Sequence, residues 1–103
     1  MPSIPDLERL LASDPNDAFL LYGVAQEHAK AGNHAAAIEW YDRCLAADPA
    51  YCYAYYHKAR SQDSAGRPDQ AIATLKAGAA AARRAGDAHA ASEIAAYLDQ
   101  LSP

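Results

Sequence analysis

The sequence is nearly without the residues that build sheets. Its 103 residues include one Phe, one Trp, one Val and four Ile, while 27 are Ala. Val, Ile, Phe and Thr side chains fill strands, and alanine is the strongest helix former, so this composition excludes all-β and doubly wound folds. Cysteine is scarce as well: Cys44 and Cys52, eight residues apart, form no disulfide framework. The five glycines stand singly, which excludes a glycine-rich phosphate loop. There is no run of 18 apolar residues, and the Ala-rich stretch from Lys76 to Arg84 is short and flanked by charge. The opening MPSIPDLERL lacks the basic region and long apolar core of a signal peptide. A cytoplasmic, soluble, reduced chain is expected.

The charge is 9 basic against 13 acidic residues, net −4. That sign gives no general attraction to nucleic acid or anionic lipid, and neither is expected as a partner. The balance is uneven, because Lys58, Arg60, Arg67, Lys76, Arg83 and Arg84 face only Asp63 and Asp69 within residues 57–84. Such an excess suits an acidic ligand or an ordinary solvated surface. The length allows one domain, residues 1–103, burying roughly two-thirds of its unfolded surface and leaving no room for a deep catalytic cleft.

What the sequence does have is a period. Asp14-Pro15 recurs as Asp48-Pro49, 34 residues on, and the same step carries Leu11 to Leu45 and Ala25 to Ala59. It also carries Ala31-Gly32 to Ala65-Gly66, and Ala37-Ile38 to Ala71-Ile72. A 34-residue period marks a repeated helix–turn–helix unit. Within it, Leu21, Val24-Ala25, Gly32, Ala37, Tyr41, Cys44 and Pro49 fall at the key places of one unit. Tyr55, Ala59, Gly66, Ala71, Leu75 and Gly78 fall at those of the next. On these residues the chain resembles the tetratricopeptide-repeat family. It departs from the family pattern at His28, Lys58, Gln62, Pro68 and Arg83. The missing closing proline at Arg83 predicts that the last helix of the second unit runs on before turning.

The resemblance implies an all-α, right-handed solenoid of antiparallel helical hairpins with about six helices. The predicted helices are 5–13, 17–31, 34–47, 51–65, 68–84 and 88–101. Residues 1–16 form an N-terminal half-repeat helix carrying Leu7, Leu10 and Leu11 inward. Residues 17–51 and 52–86 are the two full repeats, and 87–103 a capping helix with an inward stripe of Ala91, Ile94, Ala95, Leu98 and Leu101. Small residues at Ala25, Ala37, Ala59 and Ala71 let paired helices approach closely. Asp17, Asn33 and Asp87 are expected to cap helices, and Pro68 suits a first helical turn.

No constellation of chemistry emerges. Cys-x-x-Cys, His-x-x-x-His and His-Glu-x-x-His spacings are absent, so neither metal nor cofactor is expected. Cys52 opens a helix whose dipole would lower its pKa, but His57 lies five residues on, splayed by about 140°. A thiol or metal enzyme is the weakest reading.

The resemblance implies a groove lined by the first helix of each repeat, which receives a peptide or protein segment. Carried over by offset, that groove presents Phe19, Tyr22, Gln26 and Lys30 from the first unit, and Tyr53, Tyr56, His57, Arg60 and Asp63 from the second. Tyrosine beside arginine on one face is the composition of binding hot spots. One branch of the family clamps a C-terminal carboxylate with lysine, asparagine and arginine. Tyr22, Gln26 and His57 stand at three of those places, so the clamp is not reproduced. The expected function is therefore a non-catalytic adaptor for another protein, acidic in one version. The alternative is a homodimer formed through the groove or the Trp40 face; Trp40 is expected to pack against a neighbouring helix or to mark an outer contact.

Gly32 and Gly66 follow helical stretches, where the chain needs a left-handed stop. Gly32→Ala or Gly66→Ala is expected to lower stability by more than about 1 kcal/mol in urea denaturation.

Overall fold

Starts and stops written into the sequence divide the chain. Ser3 and Asp6 form a reciprocal capping box at the first helix, and Asp17 accepts from the Leu20 N–H at 3.1 Å. Asp87 accepts likewise from Ala90 at 3.0 Å, and Pro68 opens its helix. Each such signal satisfies backbone N–H groups that the first turn leaves without partners. The computed structural model describes residues 3–102, so residues 1, 2 and 103 of the expected 1–103 span lie outside the described residues. The described residues form α1 (Ile4–Ser13), α2 (Ala18–Lys30), α3 (His34–Ala47), α4 (Cys52–Ser64), α5 (Pro68–Ala85) and α6 (Ala88–Leu101).

Three stops are alike. At Gly32 the glycine N–H reaches Ala29 O at 3.0 Å and the following Asn33 N–H reaches His28 O at 2.9 Å. Gly66 with Arg67 and Gly86 with Asp87 repeat the pattern on Asp63, Gln62, Arg83 and Ala82. This closure needs a left-handed residue, and the three glycines have φ of 81°, 78° and 68°. Asn33 is a correction to expectation. Its side chain caps nothing, and its ψ of 68° falls short of the 106° and 88° at which Asp17 and Asp87 cap.

The helices stack in order as a right-handed solenoid of antiparallel hairpins, 41 × 30 × 20 Å. Each packs on its sequence neighbours, while α2, α4 and α6 also touch along one side. Ala25, Ala37, Ala59 and Ala71 are fully buried, bringing paired helix backbones together. Around them lie two linked cores. One holds Leu7, Leu11, Leu21, Val24, Tyr41 and Cys44, and the other Leu75, Ala82, Ala90 and Ile94. α5 does run on, reaching 18 residues against 14 in α3, and the stop falls at Gly86.

Two expectations about inward faces fail. Leu10 is 53% exposed, since among the described residues α1 packs on α2 alone. Ala95 is exposed, and Ala90 is buried in its stead, because α6 packs only toward α5 and α4.

The hairpins solve the same space with different side chains. Leu21 and Cys44 of the first correspond to Tyr55 and Gly78 of the second. A Cβ on Gly78 would stand 2.6 Å from Tyr55 Cβ, so α4 and α5 come too close here for any side chain at position 78. His28 stacks on Trp40 at 6.3 Å in the first, while Gln62 accepts from buried Thr74 at 2.7 Å in the second. Gly78→Ala is expected to destabilise by about 1–3 kcal/mol through overpacking. Tyr55→Leu keeps the Cβ that the new side chain meets, so it should not rescue Gly78→Ala, and the two losses should add. A double-mutant cycle in urea checks this.

Candidate functional site

The side on which α2, α4 and α6 stand together carries a row of rings. Tyr22 of α2 lies 4.9 Å from Tyr51 and 6.0 Å from Tyr41, centroid to centroid. It meets His57 of α4 edge-on at 5.8 Å; His57 meets Tyr56 at 5.2 Å, and Tyr56 meets Tyr97 of α6 at 5.3 Å. Helical spacing puts Tyr56 and His57 side by side, and the stack of hairpins brings α2 and α6 to either flank. Tilted and edge-on rings at these distances attract one another.

Beside the row opens a cleft of about 270 Å³ lined by Gln26, Lys30, His34, His57, Arg60 and Ser61, among others. Gln26 is held from two sides, donating to the Tyr22 hydroxyl at 3.2 Å and accepting from Tyr41. His34 Nδ1 stands 3.4 Å from Ser61 Oγ, tying the start of α3 to α4. Lys30 pairs with Glu27 at 3.1 Å. Arg60 is exposed, and among the described residues no carboxylate pairs with it. Its charge is therefore available to a ligand.

Burial sets the protonation of these groups. Desolvation, with a smaller contribution from Tyr51, pushes the Tyr22 phenol up to about 12, and burial likewise pushes Tyr41 upward. Tyr97 rises to about 12 through burial and the Asp63 carboxylate, which accepts its O–H at 3.1 Å. All three remain donors at neutral pH. His57 is pushed down, first by burial and then by Arg60, so it is neutral at pH 7.

The nine groove residues inferred from sequence fare unequally. Tyr22, Tyr56 and His57 share the ring row, and Gln26, Lys30, His57 and Arg60 share the cleft. Tyr53 turns to His89 at 6.5 Å, and Asp63 is taken by Tyr97. Phe19, 71% exposed in the first turn of α2, stands apart from both. Sequence reasoning missed Tyr97, Tyr51 and His34. For Tyr97 a signal existed, since it follows Ile94 by three residues on one helical face.

Trp40 is half-buried against His28, with the Arg43 guanidinium 4.2 Å over its ring. The indole packs on its neighbouring helix, and its other face is covered. Cys52 contradicts the expected depression of its pKa. Burial and the Asp87 carboxylate push it up, and its Sγ donates to the Ala50 carbonyl at 3.3 Å. Burial pushes Cys44 up to about 11. Neither thiol has the environment of a nucleophile. Among the described residues no three His, Cys, Asp or Glu side chains converge, and no helix is long and apolar enough to cross a membrane.

A family model described as "Anaphase-promoting complex, cyclosome, subunit 3" matches residues 5–78. A TPR repeat-containing protein of Pseudomonas aeruginosa is 30% identical over 98 residues, covering 95% of this chain and 93% of the relative. A tetratricopeptide repeat domain protein from Salinibacter ruber superposes with a TM-score of 0.80 at 32% identity, over 86% of this chain and 90% of that one. The TPR2B-domain:pHsp70 complex of yeast Sti1 gives 0.89 at 22% identity, over 95% and 78%.

A folded His57 with lowered pKa binds its proton later than the unfolded chain does. Its contribution to stability is full above about pH 6.5 and is lost as pH falls below that value. Thermal denaturation between pH 7.5 and 5 should show a falling midpoint, and His57→Gln should make that fall smaller.

Proposed function

Because the chain belongs to the tetratricopeptide-repeat family, we propose that it is a cytoplasmic, non-catalytic adaptor whose ring-lined face docks a segment of another protein. The whole chain serves as the unit: a half-repeat helix (1–16), two repeats (17–51 and 52–86) and a capping helix (87–103). The observation that carries this reading is the joining of the Tyr22–His57–Tyr56–Tyr97 row to a cleft holding unpaired Arg60. Rigid rings supply apolar contact at little entropic cost, and an unpaired arginine supplies directed hydrogen bonds to a carboxylate.

The reading extends to an acidic segment. Lys30 and Arg60 flank the cleft, His57 lines it, and Ser61 adds a hydroxyl. An anion bound beside His57 favours its charged form, offsetting the desolvation that now keeps it neutral. The solved complex of the yeast Sti1 domain with pHsp70 supports a docking role by likeness of fold. The covered Trp40 ring gives no support to self-association through that face.

Binding to a panel of acidic and neutral peptides, read by fluorescence anisotropy, tests the reading. The native chain should favour acidic peptides, and Tyr56→Ala combined with Arg60→Glu should weaken them by at least about tenfold, equal to about 1.4 kcal/mol. Circular dichroism should show both chains equally helical. Equal affinity of the native and double-variant chains for the panel would remove the groove as the site.

A further inference from the structure

The cleft beside the ring row gathers positive charge and hydrogen-bond donors, and no carboxylate lines it among the described residues. The acids of the surrounding helices are engaged elsewhere: Glu27 by Lys30, Asp42 by Lys58, Asp63 by the Tyr97 hydroxyl and Glu93 by His89. A carboxylate entering this cleft meets cations and hydroxyls without displacing an acid already there.

His57 lines the cleft half-buried, and its ring is held by other rings alone. Tyr22 of α2 meets it edge-on at 5.8 Å, and Tyr56 of its own helix at 5.2 Å. Among the described residues no hydrogen bond occupies either ring nitrogen, and no carboxylate pairs with it. The titratable and charged groups around it come from each helix packed there. α2 brings Tyr22 and Lys30, α3 brings His34 and Tyr41, and α4 brings Tyr56 and Arg60. α6 brings Glu93, whose charge favours protonation by less than burial and Arg60 oppose it. Without a ligand the ring is therefore neutral at pH 7.

A bound anion reverses that balance. It sets an opposite charge beside an unbonded nitrogen and offsets the field of Arg60. We propose that the groove takes up a proton at His57 together with its acidic ligand, so that affinity rises as pH falls. The ligand carboxylate stays ionised, because its own pKa lies near about 4, and the proton comes from solvent. The inference rests on the reading that this groove docks an acidic segment, and it makes that docking sensitive to pH. By linkage, tightening begins as pH falls through the His57 pKa of the complex and ends below that of the free chain. Each unit between the two is worth about tenfold in affinity. Arg60, charged throughout, adds affinity at every pH and none of the slope.

Fluorescence anisotropy at pH 8 and pH 6 tests it, with an N-acetylated, histidine-free peptide from the acidic panel, on which nothing titrates in that range. Circular dichroism at each pH checks that the chain is folded. The native chain should bind at least about fivefold tighter at pH 6 than at pH 8, and His57→Gln should bind equally at both. In the native chain, NMR of the His57 ring should show a higher titration midpoint with peptide than without, a readout that needs no substitution. Equal binding by the native chain at both pH values overturns the proton uptake and leaves the groove reading standing. A slope that persists in His57→Gln, or a midpoint that the peptide does not raise, overturns the assignment to His57. No binding at either pH removes the groove reading and this inference with it.

Discussion

Everything in this structure depends on small residues buried between helices. Ala25 and Ala37 in the first hairpin, and Ala59 and Ala71 in the second, are all fully buried. A larger side chain at any of them would prise the pair apart and alter the tilt of every hairpin beyond it. The ring row follows from that spacing. Tyr22, His57, Tyr56 and Tyr97 come from three different helices, and they meet because each hairpin is thin enough to stack closely on the last.

Most of the fold was legible because its determinants are local and recur. The 34-residue step, the three glycine stops and the Asp17, Pro68 and Asp87 starts gave all the helices to within a residue or two. The overrun of α5 was legible from the absent proline alone. The failures came where a residue's fate depends on what lies beyond the repeat. Leu10 and Ala95 carry an inward pattern, yet a periodic pattern cannot say whether a neighbouring helix is there to cover it. The candidate site was half legible for a related reason. Offset named Tyr22, Tyr56, His57 and Arg60, which lie on one side of the stack, and Tyr97 and His34 reach the same side from α6 and α3. Their pairing is tertiary and leaves no mark in the spacing of the first helices.

The departures from the family pattern are answered by partner residues. Gln62 stands where an aromatic is usual, and Thr74 opposite it supplies the hydroxyl that a buried amide requires. His28 departs at the equivalent place and is met by the flat face of Trp40. Lys58 replaces an aliphatic residue and pairs with Asp42 of α3 at 2.6 Å, spanning the two hairpins. Three of the five departures, His28, Lys58 and Gln62, are thus each half of a pair, and there the unit that varies between repeats is the pair rather than the position.

The nearest-neighbour packing of the helices also governs how the chain acquires its shape. Nearly every contact joins a helix to the next in sequence, and each glycine turn closes on bonds spanning only a few residues. Loops this short are cheap to close, and topologies of such low contact order fold in microseconds to milliseconds. Structure can begin at either hairpin and spread outward by one helix at a time, with the terminal helices the first to fray and the last to join.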